Sequence, residues 1–184
     1  MTRPSKHEYY IGIAEAVAKR STCLRRQYGA VIVKDDRIIS TGYNGSARGL
    51  ENCCDKGVCW REEHDIPHGQ QYEKCQAVHA EANAIINANP TDMIGATLYL
   101  AGFENGMPIM YPEPCEMCYR LIVNAQIANV VTRDGFNFKI RHIGGIENAI
   151  NAGLKEGLLE PNPKIIAAMK KAVNRKFGTE EQSK

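Results

Sequence analysis

Two short segments of this chain each join metal-ligating side chains to the beginning of a helical pattern. CQAVHAEANAI (75–85) carries His79 and Glu81, and PEPCEMC (112–118) carries Cys115 and Cys118. Cysteines three positions apart lie on one side of a helical turn, and a proline directly before them suits a helix start. If both segments bind one ion, the chain must adopt a fold that brings two helix starts together at a single point.

The count of ligands indicates the kind of site. Two cysteines and one histidine make three protein ligands, as in catalytic zinc sites that keep a fourth position for water. Positions i and i+2 of a helix diverge by about 200°, so His79 must lie at or before the helix start for Glu81 to lie near that water. Glu81 is then predicted to transfer protons without binding the metal.

Each motif also has an ordinary interpretation when it is taken alone. A His-x-Glu pair is common on helix surfaces, and a Cys-x-x-Cys pair also occurs in structural zinc half-sites and redox pairs. Together, on successive helices, the two motifs match the signature of zinc deaminases. The combination therefore favours hydrolytic deamination.

Hydrophobic periodicity predicts helices alternating with strands. Ser5 and Glu8 form a capping-box pattern before a helix over 8–20. Two strands, 30–33 and 37–43, form a hairpin, and 51–75 is a polar, cysteine-rich insert without periodicity. The later predicted elements are a helix over 80–89, a strand over 96–101, a helix over 115–124, a strand over 128–132, and helices over 144–154 and 164–175.

This order predicts an α/β layered domain whose sheet is at least partly parallel. We expect one domain over 1–178, which includes the insert, and a polar tail over 179–184. The composition is typical of a globular protein, with 43% hydrophobic and 24% charged residues.

The same composition argues against several classes of function. No apolar run approaches the ~20 residues that span a bilayer, and the first residues lack the apolar core of a signal peptide, so we expect a cytoplasmic protein without membrane contact. A net charge of +2 gives no basis for expecting a nucleic-acid partner. Seven cysteines without an export signal are more consistent with metal ligands or reduced thiols than with disulfides.

Residues 8–133 resemble the cytidine and deoxycytidylate deaminase superfamily, and most closely its deoxycytidylate (dCMP) branch. Three blocks carry the resemblance, namely KRSTCLRRQYGAVIVKDDRIISTGYNGSARG, HAEANAI and PCEMCYRLIVNAQI. The resemblance implies a three-layer α/β/α fold with a mixed five-stranded sheet, a catalytic zinc ion, and a homo-oligomer, either a dimer or a hexamer. It also implies hydrolysis of dCMP to dUMP and ammonia. Deamination of another pyrimidine or modified nucleotide, or a non-catalytic zinc-binding module, are the alternatives.

The resemblance further implies residues that bind the substrate. Asn44 would contact the sugar or base, and Arg25, Arg26 and Ser46 would lie near the phosphate. Asn44 is also a common turn residue, and the two arginines could simply be solvated.

A second, structural zinc ion is implied as well. Its candidate ligands are Cys23, Cys53, Cys59 and Cys75, with Cys54, His64 and His68 as alternatives for the same places. The other possibility is a set of reduced cysteines in a long loop.

The chain departs from the family pattern at two places. The segment GFENGMPIMYPE (102–113) lengthens the loop before the Pro-Cys motif, and Thr132 and Phe136 replace tyrosines that usually follow the next strand. Both departures bear on substrate specificity more than on deamination itself.

Overall fold

The computed structural model describes residues 2–143. Its helices are α1 (Lys6–Ala18), α2 (Cys53–Lys56), α3 (Trp60–Glu63), α4 (Ala80–Ile86), α5 (Pro90–Met93) and α6 (Glu116–Asn124). Its strands are β1 (Arg26–Lys34), β2 (Arg37–Tyr43), β3 (Gly45–Ser46), β4 (Ala77–Val78), β5 (Thr97–Glu104), β6 (Met107–Pro108), β7 (Asn129–Asp134) and β8 (Asn137–His142). The helices predicted over 144–154 and 164–175 lie outside the described residues.

The main sheet is mixed. Its strands run in the order β2-β1-β5-β7-β8, and the two-residue β6 pairs with β5 beside this path. β5 and β7 are parallel, with Leu98 opposite Val130, whereas the other pairs are antiparallel. The five-stranded mixed sheet is therefore confirmed, with one short additional strand.

Helices cover both faces of this sheet. On one face, α1 packs Ile11 and Ala14 against a cluster that includes Val31 of β1. On the other face, α4 and α6 pack Ala84 and Ile122 against the neighbouring strand positions. Successive residues of a strand point to opposite faces, so β1 contributes to both cores. The three-layer α/β/α arrangement is confirmed.

Two glycines allow the helices to lie close to the sheet. A Cβ atom added at Gly29 would lie 2.1 Å from the carbonyl oxygen of Ala14 in α1. One added at Gly42 would lie 2.3 Å from the carbonyl oxygen of Ala80 in α4. Because α4 follows His79 directly, Gly42 sets how closely the metal-ligating segment approaches the sheet.

Most predicted elements are present, with small shifts at their ends. Helix α1 begins two residues earlier than predicted, and its capping box is formed, with Ser5 Oγ accepting from the Glu8 amide at 3.2 Å. The first hairpin turns through Asp35 and Asp36, both with positive φ (48° and 62°), as tight two-residue turns require.

Three expectations need correction. The insert is not wholly irregular, since it contains α2, α3 and a 3₁₀ turn at Tyr72–Lys74. The helix predicted over 80–89 ends at Ile86, and Pro90 begins α5, because proline is well suited to the first turn of a helix. Strand β8 was not predicted, because it is a largely exposed edge strand with a weak pattern.

Within the described residues, no helix has the length and apolar character needed to cross a membrane.

Candidate metal centre and adjoining cavity

The three predicted metal ligands come from the starts of two neighbouring helices. His79 is the N-cap residue of α4, with extended backbone (φ −71°, ψ 156°), and Cys115 is the N-cap residue of α6. Cys118 lies in the first turn of α6. The prediction that His79 precedes its helix is confirmed.

The distances fit a tetrahedral zinc ion. The Nδ1 atom of His79 lies 3.4 Å from the Sγ atom of Cys115 and 3.4 Å from that of Cys118. Zinc–sulfur and zinc–nitrogen bonds of about 2.3 and 2.0 Å at the tetrahedral angle separate the two ligand atoms by about 3.5 Å. Among residues 2–143, these three side chains form the group of metal-ligating residues whose ligand atoms all lie within 4.8 Å of one another.

The electrostatics of the centre favour thiolate at Cys115, whereas the contact with Cys115 and burial raise the pKa of the Cys118 thiol. The hydrogen bond with Cys118 and the neighbouring His79 both lower the pKa of the Cys115 thiol. Its position at a helix N-terminus, where the Cys118 amide faces it, acts in the same direction. Thiolate and neutral imidazole are the forms that bind zinc, so the donor set suits this metal.

Glu81 is buried beside these side chains, with 4% of its surface exposed. Burial raises the pKa of its carboxyl, and its own backbone amide and His79 oppose that shift. Glu81 lies in the first turn of α4 and is absent from the group of metal-ligating atoms. Glu81 is thus a buried carboxyl in the first turn of the helix that His79 caps.

A cavity of about 540 Å³ adjoins the centre. His79, Glu81 and Cys115 line it, together with Asn44 and Arg26 from the first hairpin. Glu113, from the unusual 102–113 segment, also lines the cavity. Phe136 is fully exposed at the turn between β7 and β8. The volume is ample for a small polar ligand.

Asn44 is a junction of hydrogen bonds in the cavity wall. Its Oδ1 accepts from the backbone amide of Tyr28 at 2.7 Å and lies 2.7 Å from Ser21 Oγ, and its Nδ2 donates to the carbonyl oxygen of Arg26 at 2.8 Å. Asn44 therefore stabilises the turn that it occupies.

The predicted phosphate-binding residues are only partly brought together. Arg25 and Arg26 line the cavity, although Arg25 donates to the carbonyl oxygen of Ile66 and Arg26 is paired with Glu104. Ser46 is not among the residues that line the cavity, and its Oγ accepts a hydrogen bond from Gln76 at 2.8 Å.

The four cysteines proposed for a second metal converge on the same cavity. Cys23, Cys53, Cys59 and Cys75 all line it, and Cys53 and Cys59 are buried. Burial raises the pKa of the Cys23 and Cys53 thiols, and the neighbouring cysteines add to both shifts. Their sulfur atoms do not reach the 4.8 Å spacing of the first group within the described chain.

The alternative ligands for that metal are less well placed. Cys54 is exposed and bonds to Asp55, and His64 is exposed, stacked on Trp60 and hydrogen-bonded to its carbonyl oxygen. His68 lines the cavity beside Tyr72.

Two residues of the insert, Tyr72 and Arg61, form part of this centre and were not predicted from the sequence. The ring of Tyr72 contacts the imidazole of His79, and the guanidinium of Arg61 covers the Tyr72 ring with Cζ 4.8 Å from its centroid. Arg61 is only 5% exposed and donates to the carbonyl oxygens of Pro67 and Gln70. A buried arginine in a segment without periodicity has no sequence signal. Tyr28, which also lines the cavity, lies in β1 just before the residues predicted as a strand.

The fold and the site together define a zinc-dependent deaminase. Residues 4–133 match the family described as the cytidine and deoxycytidylate deaminase zinc-binding region. This match covers more than half of the chain, and the chain belongs to that family.

Individual relatives agree with this assignment. The chain is 42% identical to a deoxycytidylate deaminase of Mycobacterium phage D29 over 136 residues, which are 71% of this chain and 96% of the relative. It is 32% identical to the deoxycytidylate deaminase of Schizosaccharomyces pombe over 154 residues, 84% of this chain but only 44% of that protein. The crystal structure of the dCMP deaminase of cyanophage S-TIM5 in apo form is similar with a TM-score of 0.50 at 25% identity, covering 72% of this chain and 86% of that one.

Proposed function

We propose that this protein hydrolyses dCMP to dUMP and ammonia. The observation that carries the proposal is the buried carboxyl of Glu81 beside the convergent side chains of His79, Cys115 and Cys118. A structural zinc site has no need of a buried carboxyl group that does not bind the metal. The choice of dCMP as the substrate is based on the deoxycytidylate deaminases among the relatives.

His79, Cys115 and Cys118 would hold the zinc ion, which supplies a Lewis acid that makes water a nucleophile near neutral pH. Glu81 carries the protons of the reaction. Its carboxylate accepts a proton as water adds at C4 of cytosine and delivers it to N3 of the ring. It then accepts the proton of the new C4 hydroxyl and delivers that proton to the departing amino group. The bond from C4 to the amino nitrogen breaks, ammonia leaves, and the C4 carbonyl of uracil remains.

The first hairpin would orient the nucleotide. Asn44, which lines the cavity, would contact the sugar or base. Arg25 and Arg26 would provide positive charge for the phosphate, since guanidinium groups bind phosphate oxygens through paired hydrogen bonds. Ser46, which bonds to Gln76, would reach the phosphate only by exchanging that partner.

The cysteine cluster would hold a second, structural zinc ion. Cys23 precedes β1, whereas Cys53, Cys59 and Cys75 belong to the insert, so one ion would tie the insert to the main sheet. This follows from the convergence of the four thiols in one cavity and requires them to approach to bonding distance.

We also propose a domain organisation, an assembly state and a cellular compartment for the protein. Residues 1–178 would form one domain that assembles as a homo-oligomer, a dimer or hexamer, in the cytoplasm. Exposed apolar side chains on α6, Met117 and Leu121 among them, are the kind that subunit interfaces cover, and the free cysteines suit a reducing compartment. Light scattering of the purified protein measures the assembly state.

A panel of substrates tests the activity. Ammonia release would be measured with dCMP, CMP, deoxycytidine and a modified cytosine nucleotide, before and after removal of zinc by a chelator. We expect the highest kcat/KM for dCMP and loss of turnover without zinc. A different preferred nucleotide would indicate the alternative substrate class, which the unusual 102–113 segment at the cavity rim favours. No ammonia from any compound would indicate the non-catalytic zinc module.

A further inference from the structure

Positive side chains gather along one part of the cavity. Arg25, Arg26 and Arg61 line it together with His68, whose pKa is lowered by burial and by these arginines. Arg61 donates two hydrogen bonds to backbone carbonyls, and Arg25 donates to Ile66. Such a cluster is chemically suited to a phosphate group.

One carboxylate already takes part in this cluster. Glu104 forms a two-point ion pair with Arg26, with 2.7 Å from Nε to Oε1 and 3.0 Å from Nη2 to Oε2. The two residues face each other in the β1–β5 register, and Glu104 is the last residue of β5. Arg26, and more weakly Arg25 and His68, lower the pKa of the Glu104 carboxyl.

The carboxylate presents to Arg26 the same paired oxygens that a phosphate would present. The pair is partly exposed, with 24% of the Arg26 side chain and 42% of the Glu104 side chain accessible, so solvent screens it and little energy is needed to exchange the partner. A doubly charged phosphate can therefore displace a singly charged carboxylate that is held on the sheet. A nucleoside without phosphate cannot.

We propose that Glu104 is a specificity-determining residue, whose carboxylate competes with the substrate's phosphate for the Arg26 guanidinium. This inference rests on the proposed function. It places Glu104 outside the reacting atoms, as a residue that weakens binding of the phosphorylated substrate without touching the base.

Steady-state kinetics of Glu104→Gln with dCMP and with deoxycytidine test the inference. Glutamine keeps the shape and removes the charge, and an exposed ion pair of this kind corresponds to a change of about two- to fivefold. We expect KM for dCMP to fall by that factor, with kcat for dCMP and kcat/KM for deoxycytidine unchanged. Glu15→Gln is the matched control, because it removes the comparable Arg133–Glu15 pair, which lies outside the cavity, and should change neither substrate's constants.

Arg26→Met provides the second arm. Arg26→Met should raise KM for dCMP. When Glu104→Gln is added to Arg26→Met, it should no longer lower KM for dCMP, because the two residues act through one contact. Glu104→Thr, which is uncharged and compatible with a strand, repeats the test if the glutamine variant does not fold. An unchanged or higher KM for dCMP in a folded Glu104 variant overturns the inference.

Inorganic phosphate separates this inference from the proposed function. Thermal stabilisation by phosphate alone needs no turnover, and we expect it to be larger in Glu104→Gln than in the unaltered protein. Equal stabilisation of the two proteins overturns the inference. Absence of dCMP turnover in the unaltered protein would instead contradict the proposed function.

Discussion

The ring of Tyr72 meets the imidazole of His79 at 90°, with 4.9 Å between the ring centroids. Tyr72 belongs to the insert and His79 to the start of α4, so the insert forms a wall of the metal centre. Arg61 holds this wall in place, since its guanidinium covers the Tyr72 ring and donates to the Pro67 and Gln70 carbonyls.

Arg61→Met should therefore destabilise the protein. The change leaves two carbonyl oxygens without their donor and removes the cation above Tyr72, and we expect the free energy of unfolding to fall by about 1–3 kcal/mol. Urea denaturation measures it. Arg37→Met replaces an exposed arginine and should change stability by less than about 0.5 kcal/mol. Equal stability of the two variants would show that the Arg61 contacts are not formed in solution.

Glu81→Gln should separate catalysis from binding. Glutamine keeps the shape of the side chain but cannot carry protons, so kcat should fall at least ~10²-fold while zinc content and substrate binding persist. Glu116→Gln is the control, because Glu116 lines the same cavity in the first turn of α6. A Glu81→Gln enzyme that retained more than about a tenth of the normal turnover would exclude the proton-transfer role.

Cys115→Ala should remove the metal together with the activity. Loss of one thiolate leaves two ligands, too few for tight zinc binding, so zinc content should fall by about one ion per chain and deamination should stop. Elemental analysis of the purified variant checks the first outcome. Cys54→Ala removes an exposed thiol outside the cavity and should change neither quantity. Full activity of Cys115→Ala is incompatible with the proposed centre.

Gly42→Ala should disturb the centre from the opposite side of α4. The added methyl group would lie 2.3 Å from the Ala80 carbonyl oxygen and 2.3 Å from the Ala84 amide nitrogen, so the helix must shift. We expect a loss of about 1–3 kcal/mol of stability, with reduced kcat because Glu81 moves with the helix. Thermal unfolding and kinetics measure both effects.

Gly12→Ala is the matched control for that change. Gly12 lies within α1, with no atom within 4 Å of an added Cβ, and alanine favours the helix by about 0.5–1 kcal/mol. The two substitutions should therefore act in opposite directions. If Gly42→Ala were as stable as Gly12→Ala, the close packing of α4 on β2 would be wrong.

Several elements could be predicted because local pattern and structure agree. The capping box before α1, the first hairpin and the proline before α6 are short-range signals, and each marks an element that is present. Strand β8 has no such signal, since an exposed edge strand needs little hydrophobic alternation and is defined by its pairing with β7.

The same division holds for the candidate site. The sequence by itself determined the three possible zinc ligands, the carboxyl group near His79 and the position of His79 before its helix. Helix geometry over a few residues relates Cys115 to Cys118 and His79 to Glu81. Only the tertiary structure decided that Tyr72 contacts His79, that four cysteines line one cavity, and that Arg26 pairs with Glu104. Those contacts join residues far apart in the chain, and the packing of the whole sheet and its helices, rather than any local periodicity, brings them together.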